Sequence, residues 1–437
     1  MRKSNLFLGA IFASSLLATN VFAQLTIGTE IRPRAEVRAG YKELYKKTDN
    51  PNEIATQRTR LNVGYKSDKI KTFVSLQNVS IWGEQSKNTS TFRTATAADT
   101  GSVTNIFESW AELNLCKYSA LRVGRQSLLI EDERLLTSGG WGQAGQSLDG
   151  VLYHYDNDSI VKIRVFGSYN NQKDGRIAST MISTKENPRL KTFNFAEIKK
   201  EFNKNINITL LGILSGALKP GAVYHTYFKN TMGGYITLKN DEIAITGSGF
   251  YQNGQSSNAK LTNAYLVNAQ IKYTKKPFEV TLGFDLLSGN DMTNKDANYT
   301  KIEHQFDILL GSTRGFQGTM ELVKPTTSAA GMFNSYLKTK YQITEAWSVG
   351  VNYFMLNTQN KAVVNGTEMK KYLGQEVDGL ISYKVNSDVA FDFGYCYMMP
   401  SYALKTIKSP NAFDHQNWAW VQLTFKPKFF EGAIKNE

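Results

Sequence analysis

The residues best suited to chemistry in this chain are arginines and glutamates that recur at every second position. In the segment EIRPRAEVRAGY, charged side chains alternate with apolar ones: Glu30, Arg32, Arg34, Glu36 and Arg38. Guanidinium groups bind carboxylates and phosphates through paired hydrogen bonds, so a ladder of them favours recognition of anions. The same charges can instead pair with one another and stiffen the wall that carries them. The pattern alone leaves both interpretations open.

Other segments extend this charged set by the same alternation. The candidate pore-lining, anion-binding residues are Arg32, Arg34, Arg38, Arg58, Arg60, Arg122, Arg125 and Arg164. Arg125 has the opposite parity from Arg122, so it shares a face with Arg122 only if Gly124 marks a β-bulge. The candidate carboxylates of a constriction or lumen are Glu30, Glu36, Glu108, Glu112 and Glu133.

A period of two is the period of a β-strand, because successive side chains point to opposite faces of a sheet. Similar alternation recurs along the chain, for example in RTRLNVGY and VKIRVFG, and helical periodicity is weak throughout. In a soluble sheet the charged face would meet water. In a membrane barrel the charged face would line the lumen and the apolar face would meet lipid.

The connections between the candidate strands alternate between short and long. Tight turns rich in Asn, Asp, Ser and Lys, such as KSDK and VNSD, alternate with long polar stretches at 83–105, 170–190 and 290–305. This rhythm is typical of an outer-membrane barrel, which uses an even number of strands. Nineteen candidate strands are visible, one too many for an even number, and the alternation of short and long connections fails between residues 306 and 342. We therefore predict an all-β fold, a transmembrane antiparallel β-barrel of 18 strands.

The N-terminal residues indicate export from the cytoplasm. Two basic residues, an apolar run and small residues before Gln24 predict a signal peptide over residues 1–23, cut after Ala23. Residues 24–437 then form a single outer-membrane barrel in contact with lipid or lipopolysaccharide. The formal charge of +13 suits an anionic small molecule or polysaccharide as partner, and export argues against nucleic acid. No secretion partner is indicated.

Little in the sequence suggests catalysis or metal binding. The histidines stand in no nucleophile-elbow or zinc-binding pattern: His154, His225, His304 and His415. Cys116 and Cys396 form no disulfide framework and have no metal-ligand spacing around them. We therefore expect no enzyme activity, no metal and no cofactor. No ATP-binding motif is present, so we expect passive flow.

The segment EDERLLTSGGWGQAGQSLDG, residues 131–150, mixes charges, glycines and Trp141. Such a segment either folds inward and narrows a pore or lies on the surface as an ordinary loop. The sequence favours neither arrangement.

Several segments, taken in order, resemble the alginate export family of outer-membrane β-barrels. They are LRVGRQSLLIEDERLL, WGQAGQSLDG, GSGFYQNGQ, DLLSGND, FDILLGSTRGFQG and NWAWVQLTFKP. The resemblance implies an eighteen-stranded barrel with an arginine-rich pore for an anionic uronate polymer or small acidic solutes. In the matching segments stand Arg32, Arg34, Arg58, Arg60, Arg125, Glu133 and Arg134.

These observations predict an outer-membrane porin that lets anionic solutes, acidic saccharides among them, pass without an energy source. The alternative is a structural or adhesive outer-membrane barrel whose lumen is closed by paired charges. Arg and Lys residues that line a pore favour anions, whereas paired charges conduct poorly. The two possibilities differ in ion conductance.

Overall fold

Strands with alternating side chains make up most of the chain. The computed structural model describes residues 22–83, 102–170, 190–218, 226–256 and 260–435. The strands are β1 (Phe22–Ala39), β2 (Asn52–Lys66), β3 (Ile70–Ile81), β4 (Ser102–Cys116), β5 (Ser119–Gln126), β6 (Leu148–Asn157), β7 (Val161–Ser168), β8 (Leu190–Asn203), β9 (Ile206–Leu218), β10 (Thr226–Lys239), β11 (Ile243–Gln255), β12 (Leu261–Lys275), β13 (Phe278–Leu287), β14 (Ile302–Glu303), β15 (Met332–Gln342), β16 (Trp347–Asn357), β17 (Val363–Val364), β18 (Thr367–Glu368), β19 (Tyr372–Lys384), β20 (Val389–Pro400), β21 (Gln416–Phe425) and β22 (Lys428–Lys435).

Helical structure within the described ranges is confined to short pieces. Two helices, α1 (Ala297–Thr300) and α2 (Tyr402–Lys408), and a 3-10 turn at Pro325–Thr327 lie in the connections between strands. None of these helices is long and apolar enough to cross a membrane.

Antiparallel pairing closes the strands into a barrel. In the described part of the chain the wall consists of β1–β13, β15, β16, β19, β20 and β21, with β22 continuing β21. The second half of β1 pairs with β21, Arg34 opposite Gln422, and the first half pairs with β22, Gln24 opposite Ala433. Closure leaves no free sheet edge between first and last strand. The predicted barrel of 18 strands is confirmed.

The connections alternate in length as predicted. At one end of the barrel the turns are two to four residues long, for example at 117–118 and 385–388. The connections at the other end are longer and include 40–51, 127–147 and 288–331. The surplus candidate strand lies in the last of these, where residues 306–323 form an irregular loop segment.

Three predictions involve residues outside the described ranges. Residues 1–21 of the predicted signal peptide lie outside them, so cleavage after Ala23 stays a prediction. Most of the predicted long polar loops at 83–105 and 170–190 also lies outside the described residues. The same holds for His225.

The charged face of β1 points into the barrel. Ile31 and Val37 are 37% and 46% exposed on the outer surface, whereas the alternating Arg32 and Arg34 are 6% and 4% exposed. An outer surface of exposed aliphatic side chains continues around the wall, for instance at Val123. The alternation in the segment EIRPRAEVRAGY therefore separates a charged interior from an apolar exterior.

The interior is not charged all the way round. The strands from β6 onward turn large apolar side chains inward: Leu152, Phe166, Phe193, Phe195, Leu211, Ile213, Tyr235, Phe250, Leu266, Met332, Tyr336 and Phe354. They form one buried cluster with apolar residues of the long connections, among them Ile130, Leu136 and Met320. The protein thus has a hydrophobic core inside its barrel, which the sequence analysis did not predict.

Candidate functional site

The connection at residues 127–147, here called the first inward loop, folds into the barrel. Arg32 Nη1 donates to Gly140 O at 2.7 Å, and Arg32 Nη2 donates to Gly142 O at 2.7 Å. Arg58 Nη1 also donates to Gly142 O, at 3.1 Å. Because both arginines lie well inside their strands, the loop reaches deep into the barrel. The inward alternative for the segment at 131–150 is the one that the structure adopts.

The ring of Trp141, at the tip of this loop, lies between cationic side chains. The Arg34 guanidinium is 4.0 Å from the ring centroid, and that of Arg314 is 4.5 Å from it. Arg34 Nη2 also donates to Trp141 O at 2.6 Å. Edge contacts from Trp418 and Trp420 on β21 complete the surroundings of the ring. Cation–π and edge-to-face contacts together fix its position.

The connection at residues 288–331, here called the second inward loop, binds the first through the backbone. Thr137 N donates to Leu310 O at 3.1 Å, and Ser312 N donates to Glu133 O at 2.8 Å. Between these bonds the two backbones almost touch, because a Cβ at Gly311 would lie 1.9 Å from Arg134 O. A glycine at position 311 is therefore required for this contact.

Arg134 anchors the first inward loop to the barrel wall. Its Nη2 donates to Asp285 Oδ1 of β13 at 2.8 Å and to the Tyr336 hydroxyl of β15 at 3.2 Å, and Asp132 accepts from Nη1. The guanidinium also lies 3.7 Å from the centre of the Phe316 ring. Burial opposes the charged form, yet Asp285 and Asp132 raise the pKa of Arg134 above its usual value. The side chain is thus a permanent cation inside the barrel.

A cleft of about 710 Å³ remains open between the two inward loops. Its charged and aromatic lining residues are Tyr41, Lys42, Asp132, Glu133, Trp141, Arg314, Phe316, Glu321 and Lys324. Glu321 pairs with Arg314 at 2.9 Å and with Lys324 at 3.4 Å. Burial works to raise the pKa of Glu321, but Arg314, Lys42 and Lys324 together lower it. Glu321 therefore stays ionised, and its charge is paired with Arg314 and Lys324, two of the cations that line the cleft.

The wall behind the first inward loop carries an excess of positive charge. Its four arginines, here called the basic wall, are Arg32, Arg34, Arg58 and Arg60. Within the described residues, the carboxylate that pairs with this group is Glu30, which accepts from Arg58 and lies 4.0 Å from Arg32. The other acceptors are neutral, such as Gln422 for Arg34 and Gln77 for Arg60. Neutral acceptors satisfy hydrogen bonds without cancelling charge, so a positive potential persists beside the cleft.

The remaining predicted residues on the inner face are paired with carboxylates. Arg38 donates to Glu36 at 2.8 Å. Arg122 Nη2 lies 2.7 Å from Glu112, and Arg164 Nε donates to Glu197 at 3.0 Å. Arg122 and Arg164 line a separate interior cavity of about 530 Å³.

Two predicted carboxylates support the first inward loop. Glu108 Oε2 accepts from Ser127 N at 3.0 Å, where the loop begins. Glu133, within the loop, accepts from the hydroxyl of Thr137 and lines the cleft. Both are therefore interior carboxylates, and Glu133 is the one that borders the cleft.

Arg125 is a correction to the sequence analysis. The register runs without a shift through Gly124, so Arg125 lies opposite Ser109 and Asp149 on the outer face of the wall. It pairs there with Asp149 at 2.7 Å, and its side chain is 42% exposed. The bulge that would turn this residue inward is not present in these strands, and the prediction of a pore-lining Arg125 is wrong.

The sequence analysis missed Lys42, Arg314 and Lys324, which line the cleft. They lie in connections, outside the alternating strands on which the prediction was based. The segment around Arg314 was noticed only as part of a family-like motif. Its position over Trp141 arises from contacts between two loops that are far apart in the chain.

No protein-family model and no curated protein matches this sequence. Solved structures match over nearly its full length. OccK9 (OpdG) of Pseudomonas aeruginosa aligns with a TM-score of 0.61 at 10% identity, over 93% of this chain and 98% of that chain. A BenF-like porin of Pseudomonas fluorescens Pf-5 aligns with a TM-score of 0.63 at 11% identity, over 93% and 99%. OpdK of Pseudomonas aeruginosa with vanillate aligns with a TM-score of 0.57 at 9% identity, over 92% and 99%.

The match establishes the fold. The chain is a closed, eighteen-stranded antiparallel barrel of the kind found in these outer-membrane porins. The resemblance to the alginate export family is a separate matter and stays a prediction.

Proposed function

We propose that this protein is an outer-membrane channel through which small anionic solutes pass passively. The observation that carries the proposal is the cleft between the two inward loops, which lies beside a basic wall with more arginines than carboxylates. A narrow passage next to fixed positive charge favours anions over cations. The exposed aliphatic side chains of the outer face suit contact with lipid, which supports the outer membrane as location.

The lining of the cleft suggests the class of solute. Tyr41, Trp141 and Phe316 border the cleft with aromatic rings, while Lys42 and the neighbouring basic wall offer positive charge. Together these groups suit a small carboxylate attached to a flat or sugar-like ring. The structural neighbours agree in part, since one was solved with vanillate, an aromatic carboxylate, and another is described as BenF-like. Acidic uronate saccharides, which the alginate export resemblance implies, are the second candidate solute.

The channel acts without catalysis in this proposal. Among the described histidines, His154 lies 3.1 Å from Glu112, a carboxylate that is already paired with Arg122 and Lys71. This arrangement ties the imidazole into an ion-pair network of the wall. The alternative, a structural or adhesive barrel with a closed lumen, draws on the same inward loops and paired charges.

The deciding experiment is single-channel recording in a planar bilayer under a gradient of potassium chloride. A channel shows discrete conductance steps with a reversal potential that favours chloride. Benzoate and a diuronate, added separately, then compete with chloride and reduce the current, and the stronger blocker identifies the solute class. Absence of conductance steps supports the closed barrel, and a reversal potential that favours potassium contradicts anion selectivity.

A pair of variants tests whether the cleft sets the selectivity. Lys42→Gln removes a cation from the cleft lining, and we expect the reversal potential to move toward zero. Lys117→Gln removes the same charge from an exposed turn at the opposite end of the barrel and serves as the matched control. Equal shifts for both variants would show that overall charge, and not the cleft, determines selectivity.

A further inference from the structure

Two carboxylates and a thiol meet inside the barrel, beneath the second inward loop. Glu376 and Asp378 lie on β19, and Cys396 lies directly opposite Asp378 on β20. All three side chains are fully buried. One ligand atom from each of them lies within 4.8 Å of the other two.

Each carboxylate has one satisfied and one unsatisfied oxygen. Glu376 Oε1 accepts from Met320 N at 2.8 Å and from Thr319 N, and Asp378 Oδ2 accepts from the Thr319 hydroxyl. Glu376 Oε2 and Asp378 Oδ1 are buried and have no hydrogen-bond partner. Neither carboxylate takes part in an ion pair with a basic side chain of the described residues.

This arrangement would be costly with both groups ionised. Two buried carboxylates without an opposite charge would pay a large desolvation penalty, so the pair needs either protons or a cation. A cation at the centre of the three side chains would satisfy both free oxygens at once. Carboxylate oxygen and cysteine sulfur are both among the ligands that Zn²⁺ takes in proteins.

We propose that Glu376, Asp378 and Cys396 form a binding site for a divalent metal ion of the zinc class. The three side chains supply two oxygen ligands and one sulfur ligand, and a solvent molecule takes the fourth position. On binding, the Cys396 thiol and any protonated carboxyl group of the pair release their protons to solvent, and the thiolate and the two carboxylates coordinate the metal. The spacing along the chain carries no metal signal, because strand pairing and not sequence proximity brings Cys396 to the carboxylates.

The site would tie the second inward loop to the wall. Glu376 holds the backbone of Thr319 and Met320, next to Glu321 at the edge of the cleft. A metal that fixes Glu376 therefore also fixes this edge. The proposal concerns metal binding and loop position, so it stands whether or not the barrel conducts ions.

The test uses the full chain folded into detergent in the presence of Zn²⁺ and then freed of unbound metal. We expect about one tightly held zinc ion per chain by atomic emission, since the site offers three protein ligands. Cys396→Ser loses the zinc, whereas Cys116→Ser, which removes an exposed thiol, retains it. Wild-type protein without zinc, or equal zinc in Cys396→Ser and wild type, overturns the proposal and leaves the two carboxyl groups sharing a proton.

A second measurement does not depend on the folding of the Cys396 variant. In Cys116→Ser the remaining thiol is Cys396. Folding this variant with Co²⁺ should produce a thiolate-to-cobalt charge-transfer band in the near ultraviolet. A d–d spectrum without that band, or no cobalt at all, overturns the assignment of Cys396 as a ligand.

Discussion

The two halves of the first inward loop are held inside the barrel by different forces. In residues 128–136 the side chains of Ile130, Leu135 and Leu136 are fully buried in the apolar cluster. In residues 137–146 many of the contacts run through the backbone, whose carbonyl groups accept hydrogen bonds from the basic wall and from Gln77. One half is fixed by removal of apolar surface from water, the other by directional bonds from charged donors.

The difference explains how each half contributes to the cleft. Burial of a leucine side chain contributes about 1.5–3 kcal/mol and has no preferred direction, so it fixes the depth of the loop. A hydrogen bond to a charged group contributes about 1.5–3 kcal/mol and requires good geometry. The polar half is bonded to the wall by these donors, and residues 139–146 line the cleft, where Thr137 and Trp141 also contact the second inward loop. The apolar half contributes Asp132 and Glu133 to the cleft, while its apolar side chains are buried in the cluster.

The largest expected effect comes from Arg134, a charged residue within the apolar half. Arg134→Leu leaves Asp285 buried without its cation, and we expect a loss of about 3–5 kcal/mol in the free energy of unfolding. The measurement is denaturant unfolding in detergent. The double variant Arg134→Leu and Asp285→Leu should recover most of that loss, because both charges are then absent. A double variant as unstable as the single one would show that packing, and not charge, dominates there.

Truncation of the apolar half should have the next largest effect. Leu136→Ala creates a cavity in the cluster, and we expect a loss of about 2–5 kcal/mol in the free energy of unfolding. Leu129→Ala, at a 43% exposed position seven residues earlier, serves as the control and should change stability little. Similar losses for both variants would contradict the buried packing of this half.

The polar half should respond to a change of donor geometry at constant charge. Arg32 donates to Gln143, Gly140, Trp141 and Gly142, and a lysine cannot reproduce this fork. We expect Arg32→Lys to cost about 1.5–3 kcal/mol and to increase current noise in single-channel recordings. Arg122→Lys is the control, since Arg122 lies away from the loop tip. Current noise in Arg32→Lys equal to that of wild type would show that the loop keeps its position without the hydrogen bonds of the guanidinium group.

The smallest effect is expected on the outer face. Arg125 and Asp149 form an exposed pair, and such pairs contribute about 0.2–1 kcal/mol. Arg125→Leu should therefore leave the free energy of unfolding within about 1 kcal/mol of wild type and should not change the reversal potential. A clear change in ion selectivity would instead place Arg125 at the pore and restore the original prediction.

Periodicity determined the wall of this protein from sequence alone. Alternating side chains predicted the strands, the parity of the connections predicted an even-numbered barrel, and the segment EIRPRAEVRAGY identified which residues of β1 face inward. These features depend on local geometry, because the side-chain period of a strand is fixed by its backbone. Arg125 shows the limit of periodicity. Whether its side chain faces inward or outward depended on a bulge at Gly124, and only the register of the paired strands decides that.

Tertiary structure alone decided the interior. The loop tip at Trp141 meets Arg34 and Arg314, which lie 107 and 173 residues away in the chain, and Cys396 meets Asp378 only through strand pairing. Irregular loops have no period, so their path follows from which buried surfaces and hydrogen-bond donors they reach after the barrel has closed. For that reason the sequence identified the arginines of the basic wall, while the structure showed that three of them hold the loop that shapes the cleft.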